Sequence, residues 1–205
     1  MDPVDKELFR VRLRFIDLIK SFFISEPDAE KMSRWRGIFT SLDGEQINPI
    51  FDAAVVECKD LLSSQSLKEL QDEYYDLFED PFNKKLIPMS ASFYIDGRTH
   101  AQTLADFRGF LMVAGLEKED EVIEAEDSLV VMLDTLARLI EGEENGEESS
   151  RASQSTLISE FLGQLADNVY ERLEADERAK FYASCGKFLK GYLDLERCLM
   201  MEIQN

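Results

Sequence analysis

Apolar residues in this 205-residue chain recur at steps of three and four along most of its length. That spacing places side chains on one face of an α-helix, and no stretch shows the period-two alternation of a strand. Leu8, Val11, Phe15, Leu18 and Phe22 predict a first helix, Met32, Trp35, Ile38 and Phe39 a second, and Ile50, Ala54, Cys58 and Leu61 a third. The turn between the last two is marked by the stretch Asp43 to Pro49. Ser66 and Glu69 form a capping box that opens a fourth helix, in which Leu70, Tyr74, Leu77 and Phe78 share a face. Tyr75, rotated by about 100° from Tyr74, points elsewhere.

Pro81 to Gly97 carries two prolines and no helical repeat, so it reads as a long ordered loop of the kind that often holds function. Thr99 and Gln102 suggest another capping box, and the helix they open buries Leu104, Phe107, Leu111 and Ala114 before stopping at Gly115. The most apolar helix is expected over Lys118 to Ile140, with Val122, Ala125, Leu129, Leu133, Leu136 and Ile140 as its main stripe and Ile123 and Val130 widening it. So wide an apolar arc belongs to a central helix. Asp127 and Asp134 would share its remaining face. Glu141 to Ser150 has no apolar residue and reads as a mobile acidic linker near 141–152. Two C-terminal helices follow, one with Leu157, Phe161, Leu165 and Val169, the other with Phe181, Cys185, Phe188 and Tyr192. The expectation is all-α: a single-domain helical bundle of about seven to nine helices over 1–205. No repeat of solenoid length is visible.

Charge narrows the partners. Forty-two acids against 23 bases leave a formal net charge of −19, a surface that repels nucleic acid and anionic lipid and attracts a basic partner. Between Glu117 and Glu148 there are 13 acids and two bases. Cys58, Cys185 and Cys198 are odd in number and widely spaced, which fits buried thiols in a reducing cytoplasm rather than a disulfide framework or zinc site. The start of the chain lacks the pattern of a signal peptide, and the longest apolar run, Gly109 to Leu116, falls far short of the ~20 residues that cross a bilayer.

The residues of catalysis are sparse. His100 is the single histidine and lacks a glutamate three positions before it, so the ligand pair of a carboxylate-bridged di-iron bundle is missing. No phosphate-binding glycine loop and no nucleophile elbow occurs. Carboxylate pairs such as Asp120/Glu124 and Asp127/Asp134 are what chance supplies in so acidic a chain. These residues favour a binding protein over an enzyme, with no catalytic residue, metal or cofactor expected.

Four segments taken in order resemble the TorD/DmsD family of redox-enzyme maturation chaperones, with NarJ-type assembly factors as relatives. They are "EYYDLFEDP" from Glu73; "PMSASFYIDGR" from Pro88; "LADFRGFLMVAGLEKEDEVIEAEDSL" from Leu104; and "FLGQL" with the later "FYASCGKFL". Their order and spacing agree across about residues 65–195. The resemblance implies an all-helical cytoplasmic chaperone. It would bind the apo catalytic subunit of a molybdopterin-dependent oxidoreductase, commonly through its twin-arginine signal peptide, and hold it for cofactor insertion before export. The peptide-binding residues expected are Asp127 and Ser128 at the matched motif with Ile123 and Val130 beside them, Tyr94 and Asp96 on the matched loop, and Tyr75, which is turned away from the buried face. Gly97 is expected at positive φ, with Asp96 capping its turn. The chain departs from the family pattern where an Asp-His pair is usual: Asp127 is followed by Ser128. The aromatic before that pair is replaced by "EAE", and the tryptophan often found after "FL" is absent, with Tyr170 nearby. These departures imply an alternative client mode, a NarJ-like role on the mature region of a non-exported or membrane-attached reductase. A carboxylate-based metalloenzyme is the reading from another class. The oligomeric state implied is a monomer, or a dimer that exchanges C-terminal helices through the acidic linker.

Overall fold

The structure is a computed structural model that describes residues 3–83, 85–119 and 122–201; Asp120 lies outside them. Among the described residues there are nine helices and no strand, only one antiparallel bridge between Ser90 and Ser128. The helices are α1 (Pro3–Phe23), α2 (Ala29–Leu42), α3 (Pro49–Ser64), α4 (Leu67–Tyr74, ending in a π turn Tyr75–Glu79), α5 (Ala91–Asp96), α6 (Gln102–Ala114) and α7 (Leu129–Glu144). The eighth, α8, runs from Glu148–Thr156 through a π stretch Leu157–Leu162 into Gly163–Glu174, and α9 is Phe181–Met201. The all-α expectation is met. Contacts cluster in two compact units: Met1–Lys20 with Met89–Leu165, and Ser21–Pro88 with Ala166–Asn205.

In the first unit α7 is the central helix. Leu129 to Leu133 are all buried, as are Leu136, Leu139 and Ile140, because a helix apolar on most of its circumference must be covered on several sides. It packs on α8 and the π stretch that follows. Phe107 of α6 meets Phe161 edge-on, ring centroids 5.2 Å apart, a geometry that aromatic quadrupoles favour. The helix is shorter than the sequence suggested. It starts at Leu129, capped by Ser128, rather than near Lys118, so Val122, Ile123 and Ala125 lie in the preceding loop.

The acidic stretch expected as a linker over 141–152 is the end of α7, a tight turn and the start of α8. Gly146 turns the chain at φ +87°, and Gly142 lies so close to α8 that a Cβ there would sit 2.4 Å from Ser150 Oγ. Two of its acids, Glu143 and Glu147, are used internally. Glu143 accepts hydrogen bonds from Arg151 at 2.7 Å and from Gln154 at 2.8 Å, while buried Arg12 of α1 donates to Gln154 Oε1 at 2.6 Å. In the part of α1 that belongs to this unit Phe9, Arg12, Phe15, Ile16, Leu18 and Ile19 are buried, whereas Leu8 is exposed.

The second unit is built around aromatic rings and the pairing of α3 with α9. Phe22 sits edge-on to Trp35, whose Nε1 donates to Ser21 Oγ at 2.8 Å. Phe51 meets Phe188 with centroids 4.4 Å apart. The two helices can approach this closely because Gly191 has no side chain: a Cβ would lie 2.7 Å from the Phe51 backbone. Asn48 secures the contact, accepting from Phe51 N to cap α3 and donating to Gly191 O at 2.9 Å. The Ser66/Glu69 capping box forms as expected. Tyr74 and Leu77 are buried, and Tyr74, Phe78 and Tyr182 form one ring cluster.

Glu73 of the same stretch is also buried. Its Oε1 accepts from Lys180 N at 2.7 Å and Tyr182 N at 2.8 Å, so it caps α9 from another helix. Burial pushes its carboxyl above the usual range, against the opposing pull of those amides. Arg178, chelated by Asp176, donates to Asp76 O in the π turn and to Lys85 O in the loop after it, at 2.9 Å each.

Candidate functional site

The residues around the Asp127–Ser128 step lie in the first unit. Extended backbone at Met89–Ala91 pairs with 127–129: Ala91 N donates to Asp127 O at 2.9 Å and Leu129 N to Met89 O at 2.8 Å. The Asp127 side chain is fully buried, and its Oδ2 accepts from Ser92 N at 2.8 Å. That bond caps α5, whose own Ser90 makes no side-chain cap. Asp127 Oδ1, Ser90 Oγ and Ser92 Oγ are buried with no hydrogen-bond partner among the described residues. Ser128 is nearly buried, and its Oγ accepts from Val131 N at 3.3 Å to cap α7. The two residues therefore order two helix starts.

The other sequence candidates are dispersed. Val130 is buried in α7, while Ile123 is 95% exposed in the loop before it. Tyr94 is half-buried on α5, its ring edge-on to Phe93. Asp96 is exposed, and its Oδ2 accepts from Thr103 N at 2.9 Å, which caps α6 in place of the expected Thr99/Gln102 box. Gly97 is left-handed at φ 75°, as its position in the turn required. Tyr75, 45% exposed, belongs to the second unit.

Sequence patterning did not reveal a cleft in the first unit. It has a volume of about 240 Å³ and lies among α6, the loop after it and α7. Leu111, Leu116, Val122 and Val131 supply its apolar lining, with Glu117, Glu119 and Asp134 among its polar neighbours. The loop is shaped by Gly115 at φ 70° and by the Leu116 N to Leu111 O bond at 2.9 Å, which end α6 in a Schellman-type turn. Lys118 braces it, donating to Val122 O at 2.7 Å and Glu124 O at 2.8 Å. A shallower groove adjoins it, lined by Met112 and by the Arg108–Glu126 pair. Arg108 holds Glu126 by two bonds of 2.9 and 3.0 Å, and this guanidinium lowers the Glu126 carboxyl below its ordinary value. The only legible signal for the cleft was the pairing of a helix-stop glycine with an apolar residue on either side.

Among the described residues no group of three or more His, Cys, Asp or Glu is placed to hold a metal ion. No helix among them is long and apolar enough to cross a membrane.

Among curated proteins the sequence has no match. Its fold is similar to the crystal structure of a candidate redox enzyme maturation protein from Archaeoglobus fulgidus, with a TM-score of 0.56 at 18% identity over 89% of this chain and 93% of that one. Residues 45–171, more than half the chain, match the nitrate reductase delta subunit family. The ordered motifs, the all-helical units and that match together make the chain a member of the nitrate reductase delta subunit family, maturation chaperones of the NarJ and TorD type rather than enzymes.

Proposed function

We propose that this chain is a cytoplasmic chaperone for the apo catalytic subunit of a molybdopterin-dependent oxidoreductase. It engages the subunit's twin-arginine signal peptide and holds the subunit until the cofactor is inserted. Family membership over residues 45–171 is the observation that carries this reading. The acidic surface agrees with it in sign. A signal peptide joins a basic region to a short apolar segment, and 13 acids against two bases between Glu117 and Glu148 favour such a partner.

A second reading has a specific observation in its favour. Asp127 is fully buried and Ser128, which stands where the family pattern has His, caps α7, so neither side chain is open to a peptide. A NarJ-like factor acting on the mature region of a non-exported or membrane-attached reductase fits that arrangement. Calorimetric titration with the leader peptide of a molybdoenzyme encoded beside this chain, and with the leaderless subunit, separates the two. Binding of the leader supports the first reading, and binding of the leaderless subunit alone supports the second. Enrichment of no molybdoenzyme subunit on co-purification refutes both. Light scattering over a concentration range tests the monomer against a dimer that exchanges C-terminal helices.

A further inference from the structure

We infer that the cleft between α6 and α7 is the seat for the apolar part of a basic–apolar leader, with its acidic rim receiving the leader's cations. This inference rests on the leader-binding reading above. Size is the first argument. About 240 Å³ in the cleft suits one or two inserted side chains, and the open groove of about 680 Å³ that adjoins it gives an extended segment room to continue along the surface.

Exposure is the second. Met112, in the adjoining groove, is 77% exposed, and Ile123, next to lining residue Val122, is 95% exposed. Exposed apolar side chains flanking an apolar cleft mark an interaction surface more strongly than scattered ones do.

Charge is the third argument and selects the occupant. The two cations at the cleft are already engaged: Lys118 by loop carbonyls and Arg138 by Glu141 at 3.4 Å. Asp134 is paired with Lys20. Glu117, on the rim, and Glu124, in the loop, are exposed and have no ion-pair partner among the described residues. An apolar seat beside unpaired carboxylates complements a segment with Leu- or Phe-type side chains next to Arg or Lys. It repels an acidic one.

The test uses the full chain and a fluorescein-labelled 20-residue synthetic peptide with two arginines followed by a leucine-rich segment, read by anisotropy. The substitutions Met112→Lys with Ile123→Lys alter exposed side chains and leave the core intact. They are expected to weaken binding about tenfold or more, the loss of burying one such side chain. Glu117→Lys with Glu124→Lys is expected to weaken it several-fold and to flatten its salt dependence. Phe82→Ser, at a 90% exposed position of the second unit, is the control and should leave affinity unchanged. Binding by the wild type that survives both cleft pairs overturns this inference while leaving the leader reading intact. Absence of binding by the wild type overturns the leader reading itself.

Discussion

Glu73 offers a quantitative test of how the second unit is held together. Its buried carboxylate accepts from the amides of Lys180 and Tyr182 at the start of α9. Glu73→Ala leaves both amides without that acceptor. A lost cap costs about 1 kcal/mol, and a buried donor left unsatisfied about 1–3 kcal/mol. Relief of the carboxylate's desolvation offsets part of this, so a net loss of about 2–3 kcal/mol is expected at pH 7. Glu73→Gln keeps an acceptor oxygen and removes the charge, and should stay within about 1 kcal/mol of wild type.

Urea unfolding followed by the fluorescence of Trp35 reads the relevant unit, because Trp35 is fully buried within it. With a slope near 2–3 kcal/mol/M for a chain of this size, the Ala variant's midpoint should fall by about 1 M. The pH dependence carries a sign. Glu73 is raised by burial, so its contribution is fully present below the ordinary glutamate value and declines as pH rises through the folded value. Glu73→Gln should remove that decline. An Ala variant within about 0.5 kcal/mol of wild type (roughly a twofold change in the folding equilibrium), or a Gln variant as damaged as the Ala one, refutes the capping role.

Three further outcomes follow from close contacts and burial. Gly191→Ala would press a methyl to 2.7 Å from the α3 backbone at Phe51 and should cost about 1–3 kcal/mol, read by thermal melting; an unchanged melt would mean α3 and α9 can separate freely. In native protein one thiol, exposed Cys198, should react quickly with a disulfide reagent, and all three should react in denaturant. Cys58 and Cys185 are buried, and burial raises the Cys185 thiol well above its ordinary value; three fast thiols would contradict the packing. Asp127→Ala removes the tertiary cap of α5 and should cost about 1–3 kcal/mol while leaving leader affinity within about twofold. Affinity lost at unchanged stability would restore Asp127 as a client contact.

Much of the fold could be read directly. The stripes in α2, α6, the C-terminal part of α8 and α9 are buried as their spacing predicts, apart from half-buried Ile38 and Ala114, since burial of one face is a local property of a 3.6-residue period. Errors came where local and tertiary capping compete. Val122, Ile123 and Ala125 continue the apolar spacing through Ser128, yet its hydroxyl caps the helix start and α7 begins only after it. The stretch 141–152 looked like a linker because its acids carry no apolar pattern, but Gly142 and Glu143 let two helices close on each other. Glu73 sits between residues read as core and gives no local sign that it would cap a helix more than 100 residues away.

The sequence by itself determined the helical class, most of the buried faces, the sign of the surface and the ordered motifs of the family. These are properties of spacing and charge along one chain. Only the tertiary structure decided that Asp127 and Ser128 face inward as caps, that Glu73 closes α9, and that α6, its loop and α7 leave an apolar cleft beside unpaired carboxylates. Each depends on backbone donors or side chains brought from distant positions. Hydrogen-bond satisfaction in the folded chain, rather than periodicity, assigns them their roles.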